Sequence, residues 1–125
     1  MPQRYFTQEE ANALLPSLRA LIEEMWQARD AVLVIQPELA AVLQKAASNG
    51  GSGIASQALA QFRRLQEALQ AIHDLGCELK DLDQGLIDFR SRRNGREIYL
   101  CWRYGEERVA FWHDLEAGFA GRQPL

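Results

Sequence analysis

The sequence predicts an α+β fold: a long antiparallel helical hairpin with coiled-coil-like heptads, packed on a four-stranded antiparallel β-meander. Three observations carry this reading. Apolar residues recur with alternating spacings of four and three from Leu14 to Ala46, the a/d stripe of a helix with a period of about 3.5 residues. A Gly/Ser-rich stretch, Ser48-Asn49-Gly50-Gly51-Ser52-Gly53, then interrupts the pattern. From Cys77 to His113 the periodicity changes to two, between turn signals, as strands require.

The first helix is expected over 8–13. Thr7-Gln8-Glu9-Glu10 is a capping box, in which the Thr7 hydroxyl accepts a backbone N–H and Glu10 reaches back. Pro16 cannot lie inside that helix without losing a hydrogen bond, so the chain breaks there and a long helix, 15–47, follows. Its stripe runs through 14, 18, 21, 25, 28, 32, 35, 39, 42 and 46, and stays in phase across Pro37. A second stripe at Ala58, Phe62, Leu65, Leu69 and Ile72 marks a helix over 54–75, ended by Gly76. At 1.5 Å rise per residue the helices would be about 50 Å and about 33 Å long. The shorter one therefore covers only the loop-proximal part of the longer. Leu14, Leu18, Leu21 and Met25 must be buried elsewhere, and a homodimer interface is the expectation for them, with the sheet as the competing cover.

Four strands are expected, over 77–82, 86–92, 97–103 and 108–113. Asn94-Gly95 is a type I′ hairpin signal and pairs Arg92 with Glu97, Arg90 with Tyr99, Asp88 with Cys101 and Ile87 with Trp102. Asp83-Gln84-Gly85, as a three-residue loop, pairs Leu82 with Leu86 and Lys80 with Asp88. Gly105-Glu106, as a type II′ turn, sets Arg103 opposite Arg108, Leu100 opposite Phe111 and Tyr99 opposite Trp112. These registers give an apolar face containing Ile87, Phe89, Leu100, Trp102, Phe111 and His113. The other face is mixed, with Asp88, Arg90, Tyr99, Cys101, Arg103, Arg108 and Trp112. The tail, 114–125, is expected to dock through Phe119.

Length and composition narrow the classes of function. A chain of 125 residues with 47% hydrophobic and 25% charged residues forms one domain with a real core. A net charge of −3 speaks against a nucleic-acid protein with a basic surface. No apolar run approaches the length of a membrane span, and no signal peptide is read at the start. Cys77 and Cys101 fall on opposite faces of the expected sheet and are read as reduced thiols of a cytoplasmic protein.

Three stretches together resemble a bacterial family of short proteins catalogued as a domain of unknown function. They are YFT-x-EEAN-x-LLP from Tyr5 to Pro16, KDLDQGLIDF from Lys80 to Phe89, and LCWRYGE…WHDLEAGFAGRQPL from Leu100 to Leu125. The resemblance covers nearly the whole chain. It implies a bacterial cytosolic protein, and it implies no activity, cofactor or catalytic residue.

The residues themselves offer little catalytic chemistry. In the expected register His113 and Cys101 lie on opposite faces and cannot share an ion. A one-residue slip at the third turn would set Cys101 opposite Phe111 with His113 diagonal to it. No CxxC, HxxxH or carboxylate cluster supplies further zinc ligands, so no metal or other cofactor is expected. Asp81, Asp83 and Gly85 resemble only part of a calcium loop and read as turn formers. No nucleophile–base pair is spaced for an enzyme. The expected function is a non-enzymatic interaction protein that forms a homodimer. The alternative is a binder of a small anionic ligand or nucleic acid, using Arg103, Arg108, Arg90, Tyr99, Trp112 and Arg122 on the mixed face, because Arg binds carboxylate and phosphate bidentately. Nucleic acid is not the expected partner, and the four Arg of the 90–96 hairpin read as a solvated tip.

Overall fold

A computed structural model describes residues 4–49 and 53–125, with side chains except at 36, 38–49 and 54. Thr7 caps α1 (Gln8–Ala13) through the reciprocal capping box with Glu10. Leu14 ends that helix, and α2 (Leu15–Asn49) runs on through Pro37 as one element. The α3 helix (Gly53–Asp74) packs back along α2, where Arg64 Nε meets Glu24 at 2.6 Å. The centre of the Gly/Ser-rich turn and the stripe side chains of 39, 42 and 46 lie outside the described residues.

The sheet has five antiparallel strands in sequential order, not four: β1 (Glu78–Asp81), β2 (Leu86–Arg93), β3 (Arg96–Arg103), β4 (Phe111–Asp114) and β5 (Gln123–Pro124). The β2–β3 register is the one Asn94-Gly95 dictates, with Asp88 opposite Cys101 and Arg90 opposite Tyr99. Both turn residues have the positive φ a type I′ turn demands, 53° and 75°.

The two outer registers differ from expectation. In β1, Glu78 rather than Lys80 faces Asp88, and a bulge between Leu79 and Asp81 takes up the difference. At the other edge Leu100 faces Trp112 and Tyr99 faces His113, a one-residue slip. The cause lies in the turn. Glu106 donates its N–H to the Arg103 carbonyl, so Gly105, at φ 101°, takes the third position of the turn rather than the second. The chain from 107 to 110 is then held by the helices. The Asn12 side-chain oxygen accepts the Val109 N–H at 2.7 Å, Gln8 Nε2 donates to the Val109 carbonyl, and Arg19 donates to the Glu107 carbonyl. These contacts bury Val109 and prevent 108–110 from pairing as strand.

One core lies between the helices and one face of the sheet. Leu15, Leu18, Ile22 and Met25 of α2, with Ala68 and Ile72 of α3, meet Ile87, Phe89, Leu100, Trp102 and Trp112. Leu18 and Met25 are therefore fully buried within a single chain, and Leu14 and Leu21 pack against the same cluster. The sheet, not a second subunit, covers that part of the stripe. Phe6 completes the core against Phe89, and its N–H donates to the Arg90 carbonyl along the part of β2 that β1 does not reach.

The tail docks, but not by burying Phe119, which is 37% exposed. Instead β5 pairs with β4, and the Leu125 N–H reaches the Ala110 carbonyl. Arg122 turns inward between Phe111 and Phe119, 4.0 and 4.6 Å from their ring centres.

Candidate functional site

The slip at β4 redistributes the side chains on the two faces. Trp112 leaves the mixed face and joins the core beside Leu100. Phe111 and His113 take its place, next to Cys101 and Tyr99. The mixed face thus brings together Asp88 from β2, Tyr99 and Cys101 from β3, and His113 from β4.

Three of these form a buried cluster. Asp88, Cys101 and His113 are 2%, 0% and 2% exposed. Their ligand-type atoms all lie within 4.8 Å of one another. His113 Nε2 stands 3.1 Å from each oxygen of the Asp88 carboxyl group. Its Nδ1 is 2.8 Å from the Asp114 carbonyl oxygen, which can only accept, so Nδ1 carries a proton. Burial pushes the Asp88 carboxyl above its ordinary range, against the opposing pull of His113. Burial, and then the Asp88 charge, raise the Cys101 thiol to about 12, so without a metal it is no thiolate nucleophile at neutral pH. Cys77 lies apart, buried on the core side, and its thiol donates to the Ile72 carbonyl.

Cations on long side chains lie over the neighbouring Tyr99. Lys80 Nζ and the Arg90 guanidinium lie 4.6 and 5.2 Å from the centre of the Tyr99 ring, which is itself buried. Arg90 is already engaged, by Glu97 at 3.1 Å and by the Tyr99 hydroxyl. The Tyr5 hydroxyl also donates to Glu97. Arg122 gives one NH₂ to both oxygens of Glu106 and reaches the Cys101 carbonyl.

The residues expected to bind an anion are therefore dispersed. Arg108 is exposed in the loop before β4 and does not face Arg103, so the expected opposition of the two guanidiniums does not form. Arg103 is exposed over the Phe119 ring, and neither it nor Arg108 makes an ion pair among the described residues. Trp112 is in the core, Tyr99 is covered, and Arg90 and Arg122 have carboxylate partners. One other concavity is relevant: a cleft of about 400 Å³ near the Asn94 hairpin, lined by Tyr5, Phe6, Arg92, Arg93 and Leu125 among others. Arg92 stacks on Tyr5 and Arg93 on Trp112, and neither makes an ion pair among the described residues.

A second surface was not foreseen from the sequence. Leu33, Val34, Leu59 and Phe62, of α2 and α3, are 57%, 76%, 60% and 50% exposed. Phe62 belongs to the α3 stripe and is nonetheless half uncovered. No helix among the described residues is long and apolar enough to cross a membrane.

The chain belongs to the family described as uncharacterized conserved protein (DUF2203), whose family model matches residues 4–125. No curated protein and no solved structure matches it.

Proposed function

We propose that this protein is a non-enzymatic interaction module that forms a homodimer through the exposed apolar residues of its helix pair. The reading rests on the four large apolar side chains exposed there, Leu33, Val34, Leu59 and Phe62. Large apolar residues concentrated on one region of a soluble surface mark interaction sites. A second copy suits them because Phe62, on the α3 stripe, is left half uncovered within the chain, and Leu33, Val34 and Leu59 flank the stripes of the same two helices; helices with heptad seams pack on further helices. Two helix pairs would then make a four-helix contact. The Leu14–Met25 segment takes no part, because the sheet covers it.

Equilibrium sedimentation of the full chain tests this reading. The wild type should dimerise with rising concentration, and the Val34→Glu/Phe62→Glu double variant should sediment as a folded monomer. A wild type that stays monomeric at high micromolar concentration refutes it.

A specific observation favours a second reading, a small-anion site, now in the cleft at the Asn94 hairpin. Arg92 and Arg93 line it without ion-pair partners among the described residues, and Tyr5 and Phe6 supply its apolar wall. Pyrophosphate or a dicarboxylate should then raise the melting temperature of the wild type and not that of Arg92→Ala/Arg93→Ala. Equal shifts in both proteins, or none in either, refute the site.

A further inference from the structure

We propose that Asp88, Cys101 and His113 form a binding site for a zinc-class transition-metal ion, set into the sheet face opposite the core. Three kinds of donor converge there from three adjacent strands, with their ligand-type atoms within 4.8 Å of one another. A thiol, an imidazole and a carboxylate together favour zinc over magnesium or calcium, which take oxygen ligands.

The orientation of His113 carries the argument further. Its Nδ1–H is held by the Asp114 carbonyl. That is the outer-shell arrangement that fixes a metal-binding imidazole in one tautomer. In the neutral ring the Nε2 lone pair then points at the Asp88 carboxylate, 3.1 Å from both oxygens. Two electron-rich groups held this close and this deeply buried require a cation between them. A proton can fill that role for His113 and Asp88, with the Cys101 thiol hydrogen-bonded to Asp88. A divalent ion uses all three side chains. It displaces the thiol proton and any proton shared between Asp88 and His113. One thiolate and one carboxylate then balance its two positive charges. Because both Asp88 oxygens face inward, the carboxylate can supply two donor atoms, giving four in all, the usual zinc number. Burial does not bar entry, since such sites take up their ion as the chain folds.

The test refolds the full-length chain from denaturant in zinc or cobalt(II), removes unbound metal, and measures content and absorption. Zinc should be retained at about one ion per chain, and should raise the melting temperature until a chelator reverses the gain. Cobalt should give the near-ultraviolet thiolate charge-transfer band of a cysteine-ligated ion. Cys101→Ser should lose that band, whereas Cys77→Ser should keep it. Should Cys101→Ser fail to fold, the pair of wild type and Cys77→Ser decides alone, because the chain has only two cysteines. No retained metal and no charge-transfer band in the wild type overturns the site in favour of a proton-bridged cluster. A band that disappears with Cys77 overturns it as well.

Discussion

Arg122 and Glu106 join the C-terminal tail to the turn that sets the β4 register, and their coupling can be measured. The perturbation is a double-mutant cycle of Arg122→Met and Glu106→Gln. Met keeps the unbranched apolar stem between Phe111 and Phe119 while removing the charge. Gln keeps an acceptor for the Arg103 N–H, which bonds Glu106 Oε1 at 2.7 Å. The two side chains are 11% and 20% exposed. Exposed pairs couple by about 0.2–1 kcal/mol, and breaking a buried pair costs about 3–5 kcal/mol; a coupling of about 2 kcal/mol is expected between those limits. The Arg122 Nε is buried without a partner among the described residues, so Met also removes an unsatisfied donor, an effect common to the single and double variants that cancels in the cycle. The double variant should be more stable than the sum of the single losses implies, because the pair is lost only once. Urea denaturation of the four proteins gives the cycle. Additivity within about 0.5 kcal/mol refutes the reasoning, because the tail would then be held by β5 pairing and stacking alone.

Further expectations concern the hairpin glycines and the N-terminal carboxylate network. Gly85 and Gly95 both have positive φ, 64° and 75°, but a Cβ on Gly85 would stand 2.8 Å from the Tyr104 Cβ and 3.2 Å from Trp26, while one on Gly95 meets nothing within 4 Å. Gly95→Ala should cost the backbone term alone, about 1–2 kcal/mol. Gly85→Ala should cost about 1–3 kcal/mol more, and equal urea midpoints for the two variants would contradict the packing of that turn on α2. The Tyr5 hydroxyl first, and Arg90 with it, hold the Glu97 carboxyl below its ordinary value of 4.5. Its contribution to stability is thus present above that value and lost as pH falls through the lower folded one. The stability difference between wild type and Glu97→Gln should shrink on acidification below about pH 4.5, and a difference that grows instead would show the sign to be wrong.

Where the sequence could be read and where it could not follows from how far each signal reaches. The capping box at Thr7–Glu10 and the Asn94-Gly95 turn are decided within a few residues, and both appear as their chemistry dictates. Gly105 is different. A glycine with positive φ fits either the second or the third position of a turn, and the two choices shift β4 by one residue. The choice is made by Gln8, Asn12 and Arg19, which are about a hundred residues away in the chain or nearly so and hold the loop by its backbone. Local turn chemistry cannot contain that information.

A clue was nevertheless present in the side chains. The expected register put Trp112, a large apolar ring, on the charged face and His113 on the apolar one. The slipped register exchanges them, placing Trp112 against Leu100 and His113 beside Asp88. The slip thus improves burial of an aromatic ring and supplies a buried carboxyl group with a partner in the same step. Burial of unlike groups is the stronger constraint, because a one-residue slip moves every side chain of the strand to the other face. The same logic applies to the helices. Leu18 and Met25 of the α2 stripe are satisfied by the sheet, whereas Leu33, Val34 and Leu59, which lie off the stripes, and Phe62, which lies on that of α3, are left largely exposed. A heptad pattern states that a helix has an apolar seam; it does not say which apolar residues beside the seam stay uncovered, and that depends on where the sheet and the partner helix lie.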